Sequence, residues 1–150
     1  MYLLDGSTLT LTNQKFIDNK FLSDAYLIKT SLNVIITLSN SSFIRNLKYY
    51  DNRSTNQALL VFYQSNLNLT NIEAIGNTAL LFQDLTVSRW SSVTFDSPII
   101  EIGKPVILTI KDSDIYIENL KIFAQDVLIP EGLVTFFHFV KTNMIRVNSE

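Results

Sequence analysis

Four segments of this chain repeat one pattern in phase, and that recurrence is the strongest limit on what the chain can fold into. Leu9-Thr10-Leu11-Thr12-Asn13, Ile36-Thr37-Leu38-Ser39-Asn40, Leu67-Asn68-Leu69-Thr70-Asn71 and Ile115-Tyr116-Ile117-Glu118-Asn119 all read apolar-polar-apolar-polar-Asn. The likeness runs on after each Asn. Phe16, Phe43, Ala74 and Ile122 stand three positions later, and Asn19, Asn46, Asn77 and Gln125 stand six positions later. Val93-Thr94-Phe95-Asp96-Ser97 reads as a weaker copy in the gap before Ile115, and Ile145-Arg146-Val147-Asn148 as the start of one more. Counted from residues 9, 36, 67, 93, 115 and 145, the spacing falls in the roughly 20 to 50 residue range of stacked repeats.

Strict alternation over five residues specifies a half-buried strand, because successive side chains on a strand point to opposite faces. Second apolar runs at 25–28, 58–63, 79–82, 98–102 and 126–130 read as further short strands, so each repeat holds at least two strands joined by corners. One such unit cannot cover its own apolar face, and stacking is the way to bury it. The expected fold is all-β, a parallel β-helix (β-solenoid) of about five rungs, with Leu9, Leu11, Ile36, Leu38, Leu67, Leu69, Ile115 and Ile117 buried in continuous columns. An antiparallel β-sandwich is the alternative, since short alternating strands serve it equally well.

The chain carries 14 Asn against 4 Gly and 3 Pro, so its turns rely on side-chain amides. The motif residues Asn13, Asn40, Asn71 and Asn119 are expected at corners in the left-handed conformation that Asn tolerates. There their amides would turn inward and bond the rung above and below as a structural ladder.

At this point the chain resembles the pectin-lyase-like right-handed parallel β-helix, in particular surface proteins that stack many such rungs. The resemblance is carried by Ser42-Phe43-Ile44-Arg45-Asn46 after Ile36 to Asn40, and by Ile72-Glu73-Ala74-Ile75-Gly76-Asn77-Thr78-Ala79 after Leu67 to Asn71; it covers about residues 7 to 150. The Asn-rich, Gly-poor composition is also similar to long extracellular β-helix proteins of ciliates. The resemblance implies a right-handed coil and an extracellular or cell-surface location. Enzymes of the same fold would imply a polysaccharide lyase or hydrolase, which is the alternative function.

A length of 150 residues suits one core rather than two, and the single domain 1–150 is expected to be a piece of a longer repeat array, because a copy begins at Ile145 and no capping element is evident. With 12 Lys and Arg against 14 Asp and Glu, there is no basic footprint for nucleic acid. The longest apolar tract, Leu133 to Val140, is broken by Thr135 and His138 and is too short for a membrane span. Cysteine is absent, which removes disulfides and thiolate metal sites.

Chemistry-bearing constellations are sparse. Asp112 and Asp114 flank Ser113, where two carboxylates on an extended segment would share one side and suit a hard cation, although a polar turn opening a strand is the plainer reading. His138 stands without partners for a triad or metal site and reads as structural. Gly6, Gly76, Gly103 and Gly132 are scattered singly, so no phosphate loop is present. No catalytic, metal or cofactor residue is therefore assigned. Sequons occur at Asn40, Asn52 and Asn68, of which Asn52 is the expected acceptor if Asn40 faces inward. Outward rows are expected to run Thr10, Thr37, Asn68, Thr94, Tyr116 and Thr12, Ser39, Thr70, Asp96, Glu118.

The longest corner, 47–57, bulges from the stack and carries Tyr49, Tyr50, Asn52 and Arg53, residue types that suit partner contacts. The function expected from all this is a structural or interaction module of an extracellular or cell-surface protein. It would present a stacked sheet and this loop to a protein or glycan surface, as part of a larger chain or assembly.

Overall fold

The computed structural model describes residues 1–22, 25–49, 58–78, 80–96 and 108–123, and the backbone of three further short strands at 134–137, 142–143 and 147–148. These residues form strands and no helix. In chain order the strands are β1 (Tyr2–Leu3), β2 (Thr8–Thr12), β3 (Lys15–Ile17), β4 (Lys20–Phe21), β5 (Ile28–Thr30), β6 (Ile35–Ile44), β7 (Leu47–Lys48), β8 (Leu60–Tyr63) and β9 (Asn66–Ile75). They continue as β10 (Leu81–Asp84), β11 (Val87–Asp96), β12 (Leu108–Lys111), β13 (Asp114–Ile117), β14 (Leu120–Phe123), β15 (Val134–Phe137), β16 (Thr142–Asn143) and β17 (Val147–Asn148).

Every strand pair among the described residues is parallel, which overturns the antiparallel sandwich. One sheet has six strands in the order β1-β5-β8-β10-β12-β15; a second has nine, following β16-β13-β11-β9-β6-β2 with β3, β14 and β17 beside that path; a third joins β4 and β7. The chain leaves the six-stranded sheet, crosses the nine-stranded one and returns one strand further on. Non-local parallel pairing of this kind needs a long connection between partners, and the repeat supplies it.

Register corrects the alignment of the repeats. Leu9 pairs Ile36, and Ile36 pairs Leu67, as the motif requires. Beside Leu67, however, stands Ser88, which in turn pairs Ile115. Val93, expected in that place, pairs Ile72 and Leu120 instead, five residues further along the strand. The copy expected from Ile145 is displaced too, since Ile115 pairs Thr142. Alternation was a misleading guide here because Ser88 is a polar residue in an inward column. It is fully buried, and its hydroxyl donates to Gln83 Oε1 at 2.9 Å, also fully buried, so the usual cost of burying it is offset.

Inward positions fill one core. Ile36, Leu38, Leu67, Leu69, Ile115 and Ile117 are buried as expected, whereas Leu9 and Leu11 are half-buried because β2 has a neighbour on one side only. Phe43 stacks on Phe16 with ring centroids 5.0 Å apart. Ala74 lies between Phe43 and Phe95 in the same column, and this small residue leaves room for the rings on either side.

Each long strand contains a kink, and the kink has a single-residue cause. Along β6, Ile36 and Leu38 face inward, then Ser41 and Phe43 do, so the in-out phase slips by one at Asn40. Asn40 has φ 49°, and Asn13 (57°), Asn71 (52°) and Ser92 (57°) match it in the neighbouring repeats. A second set of left-handed residues comprises Asp18, Arg45 and Gly76, and a third Gly6, Asn33, Gln64, Leu85 and Asp112. For a residue other than Gly, Asn or Asp this conformation costs about 1 to 2 kcal/mol. Backbone bonds to the next repeat offset it, such as Asn13 N–H to Ser39 O at 3.0 Å, Arg45 N–H to Ile75 O at 2.8 Å and Gln64 N–H to Asp84 O at 3.0 Å.

The structural ladder is not where the motif Asn residues predicted it. Asn13, Asn40 and Asn71 are exposed rather than turned inward, and the one side-chain bond among them runs from Asn71 Nδ2 to Asn40 Oδ1 at 3.0 Å. Asn119 is half-buried and stands next to Ser92, which separates it from Asn71. A left-handed residue that adds a step to the outer side of a corner points its side chain outward, so these positions cannot serve the interior.

The buried ladder is six positions on. Asn46 is fully buried; its Oδ1 accepts from Asn19 Nδ2 (2.7 Å) and Asn19 N–H (3.3 Å), while its Nδ2 donates to Phe16 O and to Asn77 Oδ1, both at 2.9 Å. Asn77 Oδ1 also accepts the Asn46 backbone N–H at 2.9 Å, and Asn77 Nδ2 donates to Phe43 O at 2.7 Å. All four bonding positions of the Asn46 amide are thus occupied.

Replacing Asn46 by Ala strands the Asn19 amide and Phe16 O, at about 1 to 3 kcal/mol for each buried group left unpaired, while Asn77 Oδ1 keeps its bond from the residue 46 backbone N–H. A urea titration followed by the fluorescence of buried Trp90 is expected to show a loss of about 2 kcal/mol or more for Asn46→Ala. Asn40→Ala is expected to lose only about 1 kcal/mol, from left-handed strain, and Asn40→Gly to remain within about 0.5 kcal/mol of the parent.

Candidate interaction surface

The outward side chains of the nine-stranded sheet form rows across consecutive strands. By register the first runs Thr10, Thr37, Asn68, Arg89, Tyr116, with Arg89 in the place expected for Thr94. A second runs Thr12, Ser39, Thr70, Ser91, and Ser91 Oγ donates to Glu118 Oε2 at 2.9 Å, so Ser91 replaces the expected Asp96. Beyond the kink a third row runs Lys15, Ser42, Glu73, Thr94, Lys121. Both corrections follow from the five-residue slip of the fourth repeat.

Two shallow, open depressions lie on these rows. One, of about 650 Å³, is lined by Thr37, Asn68, Thr70, Arg89, Tyr116 and Glu118 and by the strand segments that carry Leu69, Trp90 and Ile117. Arg89 holds its guanidinium 5.3 Å from the centre of the Tyr116 ring, an attraction between cation and ring face worth about 0.5 to 1 kcal/mol at an exposed site. This contact fixes a planar five-donor group over the depression. The other, of about 460 Å³, is polar and is lined by Asn40, Ser42, Asn71, Glu73, Ser92, Thr94, Asn119 and Lys121. Across the two, Arg89 and Lys121 balance Glu73 and Glu118. Hydroxyls and amides outnumber the charges.

The 47–57 segment differs from the expected loop at its start. Leu47 and Lys48 form β7 against β4, and Lys48 is buried at 1% exposure, so this cation is not on a loop surface. Its Nζ lies 4.0 Å from the centre of the Tyr26 ring and donates to Ala58 O at 3.3 Å, while Lys29 approaches the same ring at 4.7 Å. Tyr49 is exposed at 52%. Tyr50, Asn52 and Arg53 lie outside the described residues, as does His138.

Asp112 and Asp114 do not form the extended pair. Asp112 sits at a corner with φ 40°, Ser113 is buried beneath it, and Asp114 opens β13, which is the polar-turn reading. Among the described residues no group of three or more His, Cys, Asp or Glu is placed to hold a metal ion. No helix among them is long and apolar enough to cross a membrane.

Two features of the structure are not among those the sequence pattern predicts. The buried Asn19-Asn46-Asn77 ladder had a signal, its recurrence six positions after each motif, but spacing does not tell an inward amide from an outward one. The Arg89–Tyr116 pair had none, because the fourth repeat was out of register.

Asp18 and Arg45 bridge adjacent repeats at the second kink through two bonds of 2.7 Å. The hydrogen bond from Arg45, helped by its charge, holds the Asp18 carboxyl below its ordinary value despite a small opposing effect of burial. A carboxyl depressed in the folded state contributes stability that is present above its unfolded pKa and is lost as pH falls through the lowered one. Both groups are solvent-exposed, so the effect is small and salt-screened. In an NMR titration, Arg45→Gln is expected to move the Asp18 midpoint upward.

Compared with protein-family models, curated proteins and solved structures, the chain has no match, and the reading of this surface rests on its own residues.

Proposed function

We propose that the chain is a structural or interaction module of an extracellular or cell-surface protein. In this reading it coils as a right-handed parallel β-solenoid of about five rungs, and its outer face and the 47–57 loop contact a protein or glycan surface. The observation that carries the reading is the outer face of β6, β9, β11, β13 and β14. There, register aligns Thr37, Asn68, Arg89 and Tyr116 in one row and Ser42, Glu73, Thr94 and Lys121 in another. Such a face offers many hydrogen-bonding groups and a near-zero local charge, which suits a polar surface more than a polyanion. A sheet also presents these groups on a backbone that is already ordered, which lowers the cost of recognition.

Support for the coil comes from the chain path. Steps between equivalent residues, Leu9 to Ile36 to Leu67 to Ser88 to Ile115, shift the chain one strand each time in both large sheets. A parallel crossover of this kind is right-handed in about 98% of cases.

Screening the purified chain on arrays of glycans and extracellular proteins tests the proposal. Binding to any partner found is expected to weaken at least about tenfold in the double variant Arg89→Ala, Tyr116→Ala, the size of a modest hot spot. Tyr49→Ala is expected to weaken it less. Binding that survives unchanged in the double variant would place the contact elsewhere.

A further inference from the structure

We infer that Asn40 is an acceptor for an N-linked glycan, and that the folded stack carries the sugar without rearrangement. The inference goes beyond the interaction reading and rests only on its extracellular part.

Left-handed Asn residues mark the first kink at Asn13, Asn40 and Asn71. Two positions after them stand Lys15, Ser42 and Glu73, so Asn40 alone of the three has the hydroxyl that the acceptor motif requires. Its side chain is exposed rather than turned inward, so the condition that favours Asn52 over Asn40 is not met. Ser42 lies on the outward row, and the intervening Ser41 is the buried residue.

The hydrogen bonding leaves the reactive nitrogen unengaged. Asn40 Oδ1 accepts from Asn71 Nδ2 at 3.0 Å, which leaves Nδ2 as the free end of the amide, directed away from that contact. In the transfer, Nδ2 bonds to the anomeric carbon of a lipid-diphosphate-linked oligosaccharide. The bond from that carbon to the diphosphate oxygen breaks, the lipid diphosphate leaves with the electron pair, and one amide proton is lost. The product keeps its carbonyl oxygen, so the bond from Asn71 survives modification.

Asn68, the other described sequon, is differently placed. It lies mid-strand in β9 and half-buried, flanked at strand spacing by Thr37 and Arg89. A sugar there would cover the Arg89–Tyr116 contact, whereas one on Asn40 stands at the kink of β6, on the edge of the polar depression that Asn40 helps to line.

Translation of the full chain, fused to a cleavable secretory leader, in the presence of eukaryotic microsomes tests the proposal without depending on export. Peptide N-glycosidase digestion in heavy-oxygen water then marks each occupied Asn by conversion to labelled Asp. Asn40 is expected to be labelled, Ser42→Ala and Asn40→Gln to abolish that label, and Ser42→Thr to retain or raise it. The modified chain is expected to be as resistant to limited proteolysis as the unmodified one. A chain labelled only at Asn52 or Asn68 overturns the inference, as does a chain labelled nowhere or one whose Asn40-modified form becomes protease-sensitive. Partner binding is measured on unglycosylated bacterial protein, so failure of either proposal is distinguishable from failure of the other.

Discussion

The amide of Asn46 is the interaction around which the rest of the stack is arranged. At a corner the chain must leave one sheet direction for another, and backbone groups there lose their ladder partners. Asn46 answers this with a side chain that is both donor and acceptor, bonded to Asn19 on one side, Asn77 on the other, and Phe16 O within the core. Because the same amide contacts three repeats, it also sets their register. A slip of one residue would expose the inward columns and break the ladder at once.

The kinks complete this constraint. A strand that alternates strictly would run straight past the core, so a residue in the left-handed region is needed wherever the inward phase must shift. Where this falls on Asn or Gly the steric cost is small; at Leu85, Gln64 and Arg45 it is larger and is held by the neighbouring repeat. Kinks and pairing therefore depend on each other, and a single repeat would supply neither the core nor the bonds that keep its corners strained.

This division also explains the surface. Inward positions hold apolar residues and buried polar ones such as Ser88, whose hydroxyl donates to Gln83 Oε1, while outward positions are restricted only by neighbours along the row. The rows vary freely, from Thr10 and Thr37 through Asn68 to Arg89 and Tyr116. A scaffold of this kind separates the positions that keep the fold from those left to vary on the surface.

Much of the fold was legible because its rule is local. Alternation in Ile36 to Ser39 and Leu67 to Thr70 is a property of adjacent residues, and its recurrence announced strands, stacking and most of the core columns. The fourth repeat was not legible, because Ser88 stands inward on the strength of a bond to Gln83 that no nearest-neighbour pattern contains. The same holds for the candidate surface: the tyrosines and Arg53 of the 47–57 segment could be noted from composition, but the pairing of Arg89 with Tyr116 depends on a 27-residue register step. The sequence by itself determined that the chain is all-β and repetitive, with Asn at its turns. Only the tertiary structure decided that the strands pair in parallel, that Asn46 faces the core while Asn40 faces solvent, and which residues share a row. Those outcomes turn on which repeats lie side by side: the inward amide of Asn46, for one, is held by partners 27 to 31 residues away.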